Sequence, residues 1–433
     1  MRTGYQRKRA VTRSRRAEGV TSVDKAGEPV RMALDELVRQ GAEEILRRAL
    51  EEEIEGFLGR GRYARGAEFR GYRNGHAPER VIGTGLGSVR VRAPRVREVP
   101  EAVAPEGFQS AVLPRYERRS VATQRLFAQL YLEGLSSGDF EPVFRALLGE
   151  EAPLSSSTIL RLKEGWAGEY AAWRRRPLGG QRYAYLWMDG VYVGCGQERE
   201  RTVLLCVLGA REDGEKELLA LEPGYRESSA SWGEALRDLR ERGLVAPLLA
   251  IGDGCLGAWA ALDEVYPTTR HQRCWNHRIL NVQDKLPKRL QGAARKALRA
   301  IYEAPTRREA EECRDRYVAR LRAGGHEAAA ETVLRDWEEF VTFYDFPREH
   351  WLHLRTSNAI ESVFAGVRLR TNVAKRMQRR ENAVYLVWKV VERLGQNWRT
   401  LNGGRTVMTL VLAGCQFVDG ILQPGVRAGT VAA

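Results

Sequence analysis

Apolar positions change period several times along this 433-residue chain, and each change marks a different kind of element. Over residues 28–59, Leu34, Leu37, Val38, Ile45, Leu46, Leu50 and Ile54 recur at helical spacing, which predicts helix in two pieces. The next stretch, GYRNGHAPERVIGTGLGSVRVRAPRVRE, is broken by Gly and Pro. Its VRVRAPRVR alternates Val with Arg at period two and predicts a short hairpin with a basic face. That face suits a duplex backbone or a solvated edge guarded by charge. Three helical patterns follow, over 120–133, 139–148 and 156–173. The second has Phe140, Val143, Phe144, Leu147 and Leu148 on one face; the third carries Ile159, Leu162, Trp166 and Tyr170.

From Tyr183 the pattern turns to strands. YAYLWMDGVYVG, ERTVLLCVLGARE and EKELLALEPGY, separated by turn residues, predict an antiparallel three-strand meander. A helix over SSASWGEALRDLRERG is capped by serines and closed by Gly243. The strand APLLAIGDG then feeds the helix CLGAWAALDEVYP. From TTRHQRCWNHRILNV to about Pro347 the chain reads as helical with no strand signal. Two more amphipathic helices run through RTSNAIESVFAGVRL, with Ile360, Val363, Phe364 and Val367 on one face, and ENAVYLVWKVVERLGQNW. The Gly-rich end after Asn402 carries no readable pattern. The fold class is α/β.

Charge narrows the partners. Seventy Lys and Arg against 56 Asp and Glu leave a net charge of +14, the balance of a protein that meets a polyanion. Residues 1–28 are basic, with no acid before Glu18 and little to bury, which predicts a disordered arm that is either a solvated tail or a grip on phosphates. The third helical pattern opens on LSSST. This fits a helix-turn-helix whose recognition helix starts with Ser155, Ser156, Ser157, Thr158 and Arg161, although the pattern alone suits an ordinary helical bundle better. The six cysteines are scattered without a CxxC pair, as in a reduced cytoplasmic protein, and no apolar run is long enough to span a bilayer.

Three carboxylates stand out. Asp189 interrupts YLWMDGVYV, where burial costs several kcal/mol unless the charge is paired or bound to a cation. Asp253 follows LLAI between Gly252 and Gly254, at the strand end where α/β sheets place ligands, although a turn or cap also accounts for it. Glu361 opens a late helix, and its spacing from Asn358 also fits a capping box. These acids converge only if the helical block between the last two is an insertion. Converging carboxylates without a thiolate or His cluster form a hard oxygen site suited to Mg²⁺ or Mn²⁺. A pair of such ions supports phosphodiester chemistry.

Several motifs in order, LEEEIEGFLGRGRY, GYRNG, WRRRPL, YLWMDGVYV, IGDGCLGAW, HQRCWNHRILNV, FYDFPREHW and RTSNAIESVF, resemble the Mutator-like transposases of bacterial insertion sequences, the IS256 type. The resemblance implies a ribonuclease-H-like core, a mixed sheet with flanking helices, interrupted by an all-helical insertion. It implies a DDE triad of Asp189, Asp253 and Glu361 holding two Mg²⁺ or Mn²⁺ ions. The implied division is a basic arm at 1–28, a mainly helical DNA-binding region at 29–175, core at 181–270, insertion at 271–350, core again at 351–402 and a tail at 403–433. Such an enzyme binds the terminal inverted repeats of its element and target DNA, frees a 3′-hydroxyl and transfers it to another strand. A homo-oligomer is expected, because two element ends must meet.

The family's C-x-x-H signature matches Cys274 and His277. With His271 they offer three ligands, one fewer than a structural zinc site needs, so packing or hydrogen bonding near the acids is the expected role. Arg368, Arg370, Lys375, Arg376, Arg379 and Arg380, close after Glu361, are candidate phosphate contacts, with a solvated basic face as the alternative. Trp275, Trp337 and Trp351 suit helical core better than stacking on an unpaired base. Two other functions compete: a domesticated, non-catalytic DNA-binding protein, and a ribonuclease-H-like nuclease without strand transfer. The intact acids argue against the first.

Overall fold

A computed structural model describes residues 27–133, 135, 140–149, 157–194, 201–224, 226–373 and 380–427. Nearly all of the basic arm, Ser155, Ser156, Lys375, Arg376 and Arg379 lie outside them. The chain divides into two compact units, Met1–Gln129 with Gly138–Ser155, and Leu130–Ser137 with Ser156–Ala433.

In the first unit the expected pair of helices is one, α1 (Gly27–Leu58). Gly41 in its middle is exposed and has open space around it, so it costs propensity without breaking the helix. Leu50, Ile54 and Leu58 are buried, whereas Leu34, Leu37, Val38 and Ile45 are exposed. Four short strands follow, β1 (Tyr72–His76), β2 (Arg80–Thr84), β3 (Gly87–Val91) and β4 (Pro94–Arg97). The VRVRAPRVR stretch does not fold back on itself: β3 pairs with β2 and β4 with β1. Its alternation still sets the faces, with Val89 and Val91 buried and Arg90, Arg92, Arg95 and Arg97 exposed. Leu50, Ile82, Val89, Val91 and Leu113 form the small core. Farther along, Phe127 of α2 (Val121–Glu133) stacks on Phe144 of α3 (Phe140–Leu148) at 3.8 Å.

The second unit starts with α4 (Ser157–Arg174) and is built around a mixed five-strand sheet. The expected meander is present as β5 (Tyr183–Gly194), β6 (Arg201–Arg211) and β7 (Lys216–Gly224), paired antiparallel. After α5 (Ser229–Glu241), β8 (Leu249–Gly252) adds parallel to β5 on its other side; after α6 (Leu256–Val265), β9 (Arg270–Arg273) adds parallel to β8. The order is β7-β6-β5-β8-β9. One face of the sheet, with Leu186, Met188, Leu205 and Ala250, packs on Trp232, Leu236, Trp259 and Leu262 of α5 and α6. On the other, the Tyr185 hydroxyl lies 2.8 Å from His350 Nδ1 and the Trp187 indole donates to the His353 carbonyl.

Helices α7 (Trp275–Gln283), α8 (Lys288–Tyr302), α9 (Arg307–Ala323), α10 (Glu327–Leu334) and α11 (Trp337–Val341) make up the helical block, followed by α12 (Trp351–Leu354), α13 (Asn358–Val373) and α14 (Arg380–Gly395). Trp275, Trp337 and Trp351 are all buried in it. The α13 helix packs on β5 and α14 on β7. The Gly-rich end forms α15 (Gly404–Leu412) and a hairpin of β10 (Cys415–Val418) and β11 (Ile421–Arg427). Gly420 in its turn is fixed by backbone bonds to Tyr344 and Arg348. No helix among the described residues is long and apolar enough to cross a membrane.

Candidate active site

The site forms where the pairing of β5 with β8 ends. Trp187 and Ile251 are partners in the parallel pairing, and two residues on from each come Asp189 and Asp253. The same register therefore sets the two acids side by side just past the last β5–β8 pair, Asp253 at the carboxyl end of β8 and Asp189 within β5, which continues to Gly194 paired with β6 alone. Asp189 follows Tyr185 and Trp187 at period two and shares their face, the one covered by α12 and α13.

Each acid is fixed locally. The Gly190 N–H donates to Asp189 Oδ1 at 2.7 Å, and the Cys255 N–H donates to Asp253 Oδ1 at 2.8 Å. Gly254 has φ +91°, and a Cβ there would strike the Arg273 guanidinium, so the turn after Asp253 requires glycine. Burial, and then the neighbouring Asp253 charge, push the Asp189 carboxyl up to about 7; the Gly190 N–H and His277 oppose the shift.

Glu361, in the first turn of α13, belongs to a second cluster beside this pair. Ser357 Oγ donates to its carboxylate at 2.6 Å. Cys274 Sγ and His277 Nδ1 each lie 3.8 Å from Glu361 Oε1. Cys274 is the residue before α7, and its N–H donates to the Gly252 carbonyl at 2.8 Å, next to Asp253. His277, in the first turn of α7, is close enough to Asp189 to act on its charge. The two signature residues thus lie between the Asp189–Asp253 pair and Glu361. Burial pushes the Cys274 thiol up, so it is held as a thiol. His271 lies apart, stacked on Trp259 at 4.5 Å with Nε2 2.9 Å from Asp263. Asn358 accepts from Asn276 Nδ2 at 2.7 Å, tying the start of α13 to α7.

Two participants escaped the sequence reading. Ser357 precedes α13 and is fully buried. Glu227 lies in the loop before α5, half-buried, with its carboxyl pushed up by burial and by Asp253. Its carboxylate fills the space where a Cβ at Gly190 would be, with Cδ 2.7 Å from that point. The glycine after Asp189 was the only sequence signal for such a close approach.

The candidate phosphate contacts separate. Arg368 and Arg161 are exposed, and Arg380 is exposed with Nε donating to Thr202 Oγ1 at 3.2 Å. Arg370 is buried, its guanidinium 4.4 Å over the Tyr131 ring. It lies three and seven residues beyond Val367 and Val363, on the apolar stripe of α13, and helical geometry turns it inward. Ser157 begins α4.

A stability prediction follows from Asp189. Its folded-state value lies above that of an unfolded aspartate, so the group stabilises the fold fully below about pH 4 and that contribution is lost as pH rises through about 7. With EDTA present, Asp189→Asn is expected to raise the melting temperature at pH 8 by several degrees, with the difference vanishing near pH 4, in paired melts across that range.

A family model described as "Transposase, Mutator family" matches residues 15–400. The chain is 44% identical over 293 residues to the transposase for insertion sequence element IS6120 of Mycolicibacterium smegmatis, covering 68% of this chain and 90% of that protein. It is 45% identical over 284 residues to the transposase for element IST2 of Acidithiobacillus ferrooxidans, covering 64% and 93%. The transposase for IS256 in transposon Tn4001 of Staphylococcus aureus is 25% identical over 338 residues, 78% of this chain and 84% of that one. The match runs through Asp189, Asp253, the helical block and α13, and the chain belongs to the Mutator family of transposases.

Proposed function

We propose that this chain is the transposase of an insertion sequence, cutting and joining DNA with Asp189, Asp253 and Glu361 as a DDE triad on a ribonuclease-H-like core. The observation that carries the reading is the in-register placement of Asp189 beside Asp253 where the parallel β5–β8 pairing ends, with α13 packed against β5. Three antiparallel strands extended by two parallel ones, in the order β7-β6-β5-β8-β9, support the ribonuclease-H-like assignment.

The three acids suit a hard divalent cation, while Glu361 also groups with Cys274 and His277, their ligand atoms within 4.8 Å of one another. Asp189, Asp253 and Glu361 offer only carboxylate oxygens, and the cost of ionising Asp189 next to Asp253 is the kind a cation offsets. Mg²⁺ or Mn²⁺, two ions in this reading, would supply Lewis-acid stabilisation of the charge that builds on the phosphodiester. The chain's own part is to hold the carboxylates fixed. Gly190 and Cys255 N–H groups orient the two aspartates, and Ser357 orients the glutamate. Arg368, Arg380 and Arg161 provide exposed cations for DNA phosphates, with Lys375, Arg376 and Arg379 as further candidates. The partners are then terminal inverted repeats and target DNA, handled by a homo-oligomer that brings two ends together.

The test is a labelled duplex carrying the element's own end, incubated with the full chain in Mg²⁺ or EDTA. Nicks that leave a 3′-hydroxyl, together with joined products, are expected with Mg²⁺ and not with EDTA. Binding of the end without cleavage in Mg²⁺ or Mn²⁺ would reject the catalytic reading, and cleavage without joined products would favour a plain nuclease.

A further inference from the structure

We propose that Ser357 and Cys274 act as a hydrogen-bonded pair whose task is to aim the Glu361 carboxylate at the two aspartates. Both are positioning residues, and the inference rests on the reading of Glu361 as the third acid of the site.

Proton bookkeeping fixes how the pair works. Ser357 Oγ is 2.6 Å from Glu361 and 3.1 Å from Cys274 Sγ, but the hydroxyl has one proton to give. A carboxylate is the stronger acceptor, so that proton goes to Glu361. Cys274 Sγ, fully buried 3.1 Å from that hydroxyl, is then left to donate its S–H to Ser357 Oγ, while its sulfur accepts the Ser357 N–H at 3.2 Å. The chain of donors runs from the Ser357 backbone through the thiol and hydroxyl to the carboxylate. Every link is buried or half-buried, so no water replaces a missing one cheaply.

The anchoring at both ends explains why this pair governs position. Cys274 is tied through its N–H to Gly252, the residue before Asp253, and Trp275 donates its N–H to the Arg355 carbonyl, two residues before Ser357. The Ser357 carbonyl accepts the N–H of Glu361 at 2.9 Å. The start of α13 is thereby referenced to the end of β8, and with it the distance between Glu361 and Asp253. A metal-ligand role for Cys274 makes the opposite demand, since its sulfur would have to leave Ser357 and bind an ion as thiolate.

The test compares the natural full-length protein with Ser357→Ala, Cys274→Ala, Cys274→Ser and Glu361→Gln. Three readouts are taken: end-DNA cleavage rate against Mg²⁺ concentration, Mn²⁺ affinity measured by calorimetry without DNA, and end-DNA binding. Ser357→Ala and Cys274→Ala are expected to lower the maximal rate about 10- to 100-fold and to weaken Mn²⁺ binding, with DNA affinity unchanged. Cys274→Ser, which restores a group that accepts from the Ser357 N–H and donates to its hydroxyl, is expected to recover most of both. Melting in EDTA verifies that each variant is folded, and Ser357→Ala, which removes one hydroxyl, stands in if Cys274→Ala is not. The proposal is overturned if Cys274→Ser is as impaired as Cys274→Ala, or if Ser357→Ala matches the natural protein in rate and Mn²⁺ affinity. Failure of the underlying reading looks different: Glu361→Gln would then cleave and bind Mn²⁺ like the natural protein.

Discussion

Asp189→Asn, Asp253→Asn and Glu361→Gln are each expected to slow end cleavage and strand joining by about 10³-fold or more, while end-DNA binding stays within a few-fold of the natural protein. The amide substitutions are chosen for what they keep. Asp189→Asn retains a side-chain oxygen for the Gly190 N–H, Asp253→Asn one for the Cys255 N–H, and Glu361→Gln one for the Ser357 hydroxyl, so each local fold persists. Only the negative charge is lost, and a cation-holding site cannot do without it. If the three act as one unit, a double substitution costs little more than a single one. The Asp189→Asn protein also melts higher at pH 8 in EDTA, which separates lost chemistry from lost structure. A rate loss below about tenfold for Asp189→Asn would remove it from the reacting centre.

How much of this was legible in the sequence depends on how local the cause is. Asp189 announced itself because a carboxylate in an apolar strand has one strong physical explanation, and β5 carries it where expected. Asp253 was legible through the order of elements, since β8 pairs parallel with β5. By contrast β9 is RHQR, four polar residues with no strand signature. It is a strand because its backbone pairs parallel with β8, and its fully buried Gln272 is satisfied by the Phe340 carbonyl and the Phe343 N–H, partners far along the chain. The VRVRAPRVR stretch revealed its faces but not its partners, because alternation fixes which side is buried and says nothing of pairing. Ser357 and Glu227 look like ordinary cap and turn residues, and their roles arise only when α13 and α5 dock on the sheet.

Trp275→Ala is expected to cost about 3–5 kcal/mol in unfolding free energy, the largest stability loss among the residues discussed. The indole is 1% exposed and packs on Tyr302, Trp337 and Phe340, with ring centroids 5.5, 6.0 and 5.2 Å away. It therefore joins α7 to α8 and α11, and its removal leaves a cavity shared by all three. Its N–H donates to the Phe340 carbonyl, but Gln272 donates to the same oxygen, so the truncation orphans no acceptor and the cavity dominates the loss. Trp337→Ala makes a useful comparison: at 8% exposed, with an indole N–H that has no hydrogen-bond partner, it should cost less. Because Trp275 directly follows Cys274 and its cavity loosens the start of α7, the Ala variant should also lose cleavage more than DNA binding. A tryptophan stacked on an unpaired base would behave in reverse, with affinity for single-stranded DNA reduced and the melting temperature unchanged. Denaturant unfolding and DNA titration of one Trp275→Ala preparation distinguish the two, and a stability loss under about 1 kcal/mol would contradict the packing seen here.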